Sequence, residues 1–348
     1  MDIKDSYFFT LDNINEYSSE DVELTDEELK KRVLNNYNLC KSNKSIEKKL
    51  MYLNNCLINF DKFKEDVPFD LYFLIYNDLI SLSIISKKLE DANNYLNILY
   101  DRYNNLNETD KNKYCDGILN LFINLIYLGD ELSNYEMFFD NLNIIKAIYS
   151  ENKKTDSLNL LFSKACALYS KLLFLAKSFD DSIKVEKKAY NLVKGISDDN
   201  IYKNDSLASI TFSLGNISFQ ADYYEDAEKY FIEAIKLCSN NEFNSKFEVN
   251  HLSYNYLSQL YVYTQRYDAA IKTLIDYILL FKNKYNGDDH LYVCGDFYYR
   301  IGIIYYKFKE DESTSQMYFK YALEALNKIE NKNDDVIEYI NDVNDLLK

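Results

Sequence analysis

Proline occurs once and glycine seven times in 348 residues. Sheets need turn residues every ~8–12 positions and helical hairpins far fewer, so this scarcity points to helix. Histidine is nearly absent, with only His251 and His290. The two fall in different predicted elements without an HxxxH or HExxH companion, so no zinc site is expected. Both read as structural or surface residues, His290 in a loop after Gly287-Asp288-Asp289. The glycines never approach GxGxxG or GxxxxGK(S/T), and neither a GxSxG elbow nor a kinase signature is present. The acidic pairs Asp180-Asp181, Asp198-Asp199 and Asp288-Asp289 sit in predicted turns. Carboxylates there cap the next helix or stay in water rather than serve as buried acid–base pairs. The chain is therefore expected not to be an enzyme, with no catalytic residue, no cofactor and no metal.

The charge is one-sided: 56 acidic against 40 basic residues, a formal net charge of -16. Such a field repels nucleic-acid phosphates and anionic lipid, and no segment concentrates enough Lys and Arg to override it. The densest basic stretch, Lys30-Lys31-Arg32 with Lys41, Lys44, Lys48 and Lys49, is interleaved with Glu27, Glu28 and Glu47. It reads as solvated helix surface. No run approaches 18 uninterrupted apolar residues, so no membrane span is expected. The six cysteines, Cys40, Cys56, Cys115, Cys166, Cys238 and Cys294, are scattered and form no CxxC pair. They suggest small buried hydrophobes in a reducing cytoplasm, and the N-terminus Met1-Asp2-Ile3-Lys4-Asp5 has no signal-peptide pattern.

What is abundant is apolar residues, at 47%, and tyrosine, at 34. The first is ample for a core. The second accompanies Asn, Lys and Ile, as codon bias in an AT-rich genome produces, and a helical stack tolerates it because the hydroxyl can stay at the core edge. Three hundred and forty-eight residues exceed the ~250–300 at which one core stops growing, a limit that stacked repeats escape.

Residues 1–24 read as an acidic N-terminal arm and 25–68 as a helical segment. Thr25-Asp26-Glu27-Glu28 is a capping box that opens helices at about 26–40 and 45–60, and Pro68 marks the next break. Residues 69–328 repeat. Leu214-Gly215, Tyr224, Ala227, Phe231 and Ala234 set a register that Ser170, Phe179, Ser182 and Ala189 keep upstream. Leu257-Ser258, Tyr261, Tyr267, Ala270 and Leu274 keep it downstream, as do Ile301-Gly302, Tyr305, Ser315, Phe319 and Ala322, with one extra turn residue. The small position steps from 182 to 227, 270 and 315, a period of about 44. Weaker units contain Leu79, Leu89, Ala92 and Leu96, and then Leu128-Gly129. Residues 329–348 read as a capping helix with Ile337, Ile340, Val343 and Leu346 on one face.

Small residues that let two helices approach, with large ones filling the gaps between pairs, resemble the tetratricopeptide repeat, whose shortest units are ~34 residues. The resemblance implies an all-α, right-handed α-solenoid whose first helix of each unit lines a concave groove. Carried over position by position, the groove residues are Lys171, Asn216, Gln220, Asn255, Tyr256, Gln259, Tyr263, Tyr299 and Arg300. Asn and Gln can pair with any peptide backbone, Tyr offers rigid contact area, and Arg and Lys can hold carboxylates. The implied function is a non-enzymatic protein- or peptide-binding scaffold or regulator.

A repeat of this length behind a separate N-terminal helical segment also resembles the bacterial cytoplasmic peptide receptors of the Rap and PlcR group. There a groove asparagine clasps the peptide backbone, which implies that role for Asn216 and Asn255. The alternative function is thus a receptor for a signalling peptide that controls a response regulator or transcription through its N-terminal helices. No compact helix-turn-helix is visible in residues 26–60. Other readings left open are an activity on a partner's phosphorylated carboxylate seated in the first 60 residues, and DNA binding. The tyrosine-rich surface of the terminal repeats could pair two subunits as a homodimer.

Overall fold

The computed structural model describes residues 24–63, 66–239, 247–281 and 287–347. The acidic segment expected at 1–24 lies, save for Leu24, outside the described residues. Among those residues there are fifteen helices and no strand. Two compact units are distinguished, one ending at Asn141 and the other beginning at Leu142.

The first unit opens with α1 (Asp26–Ser42) and α2 (Ile46–Phe60). The capping box forms: Thr25 N donates to Glu28 Oε2 at 2.9 Å and Glu28 N to Thr25 Oγ1 at 3.4 Å. Leu29, Val33 and Cys40 of α1 are buried, as are Leu53, Cys56 and Phe60 of α2. Pro68, with no N–H to lose and φ fixed at -53°, precedes α3 (Phe69–Ile85). The hairpin partner is α4 (Leu89–Asn104), and α5 (Glu108–Glu131) follows; α6 (Tyr135–Glu151) begins in this unit and ends in the second.

In the second unit the hairpins are α7 (Asp156–Leu175) with α8 (Phe179–Lys194), and α9 (Lys203–Gln220) with α10 (Tyr224–Ser239). They are followed by α11 (Phe247–Tyr263) with α12 (Tyr267–Phe281), α13 (Asp288–Phe308) with α14 (Glu312–Asn327), and the closing helix α15 (Asp334–Asp345). Helices of 15 to 21 residues stretch the period beyond the shortest repeats.

All six hairpins from α3 to α14 turn on one left-handed residue: Lys87, Ser133, Lys177, Asp222, Gln265 and Glu310, with φ between 52° and 63°. The next amide reaches back to a carbonyl of the helix just ended, as in Lys88 N to Ser83 O at 2.8 Å and Tyr223 N to Ser218 O at 2.8 Å. Orphan carbonyls are thereby satisfied without glycine. The last turn is one residue longer, with Asp311 N donating to Tyr305 O at 3.0 Å.

Close helix approach depends on the small residues. A Cβ on Gly215 would lie 2.7 Å from the Phe231 ring, and one on Gly302 would lie 2.5 Å from Phe319. Ring and glycine are therefore fitted to each other across each hairpin. At the place held by Phe231, Leu274 and Phe319, the α7–α8 hairpin carries Glu186, only 1% exposed. Tyrosine hydroxyls tie neighbouring hairpins at the core edge, as Tyr190 to Glu233 Oε1 at 2.7 Å and Tyr223 to Asp180 Oδ1 at 2.9 Å.

Two expectations need correction. His290 is not in a loop but in the first turn of α13, 5% exposed, with Nε2 3.4 Å from Cys294 Sγ. Val336 and Val343 of α15 are buried, with Tyr339 and Ile340, and Leu347 just beyond the helix, packed against the same cluster, whereas Ile337 and Leu346 are 47% and 37% exposed. Tyr339 extends the apolar stripe by one helical step, which turns the helix away from the Ile337 side. All six cysteines are buried thiols, none of them in a disulfide among the described residues. By length and composition alone α7 could cross a membrane, but Leu158, Phe162, Ala165 and Cys166 are buried within the unit, as in a core helix.

Candidate functional site

The first helices of successive hairpins in the second unit, α7, α9, α11 and α13, are in contact each with the next. Each has one face packed on its own partner and exposes the residues between the small positions. Between α11 and α13 this surface sinks into two cavities. One, of about 510 Å³, is lined by Gln259, Val262 and Tyr263 from α11, by Asp296, Tyr299, Arg300, Ile303, Lys307 and Phe308 from α13, and by Phe219 of α9. The other, of about 500 Å³, is lined by Glu248, His251 and Asn255 from α11 and by Asp289, Tyr292, Asp296 and Arg300 from α13. Asp296 and Arg300 line both, so the two cavities adjoin, end to end along a groove between the helices.

The dividing residues are held firmly. Arg300 Nε donates to Asp296 Oδ2 at 2.6 Å, one helical turn apart. Tyr339 of α15 donates its hydroxyl to Asp296 Oδ1 at 3.0 Å, and its ring meets Tyr299 edge-on with centroids 5.3 Å apart. Burial, reinforced by the Asp296 carboxylate, pushes the Tyr339 phenol far above its usual range, so it stays a donor. Across the groove Gln259 Nε2 donates to Asn255 Oδ1 at 2.8 Å. Asn255 lines the smaller cavity and Gln259 the larger, and a carboxamide side chain can both donate to and accept from a peptide backbone. Tyr263 and Phe308 line the larger cavity while remaining 64% and 44% exposed.

Asn255, Gln259, Tyr263, Tyr299 and Arg300 are thus brought together. The other four predicted groove residues line neither cavity. Tyr256 turns inward, 5.5 Å from the Phe212 ring and 5.9 Å from Phe231, and packs the core. Asn216 is half-buried on α9, Gln220 is exposed at its end, and Lys171 is exposed on α7. Asp296 and Tyr339 were not among the predicted residues. Asp296 stands four residues before Arg300, an acid–base spacing readable from the sequence. Tyr339 carried no such signal, since only the packing of α15 brings it to α13. Among the described residues no three His, Cys, Asp or Glu side chains are grouped to hold a metal.

No protein-family model matches the chain, and no curated protein matches it. Solved structures do. The crystal structure of BtubC from P. vanneervenii is 15% identical at a TM-score of 0.53, covering 77% of this chain and 96% of that one. The apo form of RapI is 15% identical at a TM-score of 0.53, covering 79% of this chain and 69% of that one. The fold is a tetratricopeptide-type stack of helix hairpins. At 15% identity these matches show likeness of fold alone.

Proposed function

We propose that the protein is a non-catalytic receptor that binds a short peptide in extended form along the groove between α11 and α13. The observation that carries this reading is the sharing of Asp296 and Arg300 by both cavities, which sets them end to end between α11 and α13 with the amides of Asn255 and Gln259 along one wall. Tyr263 and Phe308, exposed and lining the larger cavity, supply apolar contact area at low entropic cost. The net charge of -16 disfavours nucleic acid as partner, and six buried thiols suit a reducing cytoplasm.

The test is affinity selection from a library of free-ended random octapeptides on the immobilised full chain. Wild type should retain a defined subset, and Asn255→Ala/Arg300→Ala should bind the best of them about tenfold or more weakly. No retained peptide, or equal retention by the variant, would remove the basis for the reading. A finer reading follows the resemblance to the Rap group: peptide capture controls a response regulator or transcription through α1 and α2. Leu39 and Ile58 there are 40% and 56% exposed. On that reading Leu39→Asp/Ile58→Asp should keep peptide binding and lose the regulatory effect; an unchanged effect would place control elsewhere.

A further inference from the structure

The groove is electrostatically unequal along its length. At the N-terminal ends of α11 and α13 the smaller cavity carries three carboxylates, Glu248, Asp289 and Asp296, against one guanidinium, Arg300, and the imidazole of His251. Asp296 is already committed to Arg300 and to Tyr339. Glu248 and Asp289 therefore give that end its excess negative charge among the described residues. At the C-terminal ends the larger cavity holds Lys307 beyond the Arg300–Asp296 pair, with Phe219, Val262, Ile303 and Phe308 as apolar walls. One carboxylate there faces two cations. The two ends are thus opposite in sign, with the apolar stretch on the cationic side.

From this polarity, and resting on the peptide reading above, we propose that the groove selects peptides by charge order and direction. A cationic N-terminal portion, the free ammonium with a Lys or Arg side chain, lies at Glu248 and Asp289. Bulky apolar side chains follow in the cavity walled by Phe219, Val262, Ile303 and Phe308, and the terminal carboxylate faces Lys307. Length follows as well. The rise along α13 from Asp289 to Lys307 is about 27 Å, which an extended chain covers in about eight residues. A basic-first, apolar-last peptide of that length meets attraction at both ends, while the reversed order meets like charge at both.

The octapeptide selection tests this through the composition of what is retained. Wild type should enrich Lys or Arg in the first two positions and Leu, Ile, Phe or Tyr in the last three. A selected peptide should weaken about tenfold when bound to Glu248→Gln/Asp289→Asn, two exposed charges contributing modestly each. The same peptide with an acetylated N-terminus should lose most of that difference, and Lys307→Gln should weaken it unless its C-terminus is amidated. All three substitutions are at exposed positions, and unchanged helical circular dichroism will confirm folding. Peptides retained without charge order, or enriched identically by the double variant, would overturn charge selection and leave peptide binding standing. Retention of no peptide at all would overturn both.

Discussion

Phe231→Ala will cost the protein about 3–5 kcal/mol, the range for removing a fully buried phenylalanine. The ring is 0% exposed, with Phe212 at 6.0 Å and Tyr256 at 5.9 Å between centroids, and it lies directly over Gly215. The readout is urea denaturation of the full chain, combined with hydrogen exchange on α9 to assign the loss to this hairpin. Gly215→Ala should also destabilise, by about 1–3 kcal/mol, since the added methyl meets the same ring. Adding Phe231→Leu to Gly215→Ala should cost less than the sum of the two single changes, because the smaller side chain makes room. A loss below about 1 kcal/mol for Phe231→Ala would mean that the hairpins are not packed at this position.

Glu186→Gln will stabilise the protein at pH 8 and flatten its stability between pH 5 and 8. Burial pushes the Glu186 carboxyl up to about 7, with hydroxyls of Ser170 and Ser213 offsetting part of the effect, and Oε2 has no hydrogen-bond partner among the described residues. The folded carboxyl keeps its proton to higher pH than the unfolded chain, whose value is 4.5. Between these values the folded state binds more protons, so raising pH weakens it, and the loss is complete above pH 7. The full span is about 3 kcal/mol. Wild type should therefore melt several degrees lower at pH 8 than at pH 5 through this residue. The glutamine variant, with no proton to lose, should remove most of that difference. A variant whose melting keeps the wild-type pH slope would show that Glu186 is hydrated in the folded state.

Glu186 also shows where sequence reasoning was strong and where it stopped. The register is visible at Ser170, Gly215, Ser258 and Gly302, because close helix contact admits only small residues there and packing alone decides them. Sixteen places after Ser170 the same register demands a large apolar side chain, and Glu186 breaks the demand. Lys184, Lys187 and Lys188 flank it, so one more charged residue draws no notice until the fold shows the position buried. The turns were harder for the opposite reason. Lys87, Ser133, Lys177, Asp222, Gln265 and Glu310 all adopt left-handed φ, yet none is the glycine that would have announced it.

The groove was half legible. Asn255, Gln259, Tyr263, Tyr299 and Arg300 fall on partly or fully exposed faces set by helical phase, which the register fixes. Tyr256, one residue beyond Asn255, faces the core instead, because Phe212 and Phe231 offer it a pocket that helical phase alone does not reveal. Tyr339 arrives from a helix outside the repeats, so no periodic pattern could place it at Asp296.

The most direct measurement is amide hydrogen exchange of the full chain with and without its best selected octapeptide. Ligand-dependent protection should concentrate in α11 and α13, with α15 following because Tyr339 is bonded to Asp296 in the groove wall. Protection confined to α8, α10 and α12, the second helices of the hairpins, would contradict the account and move binding to the opposite side of the hairpins.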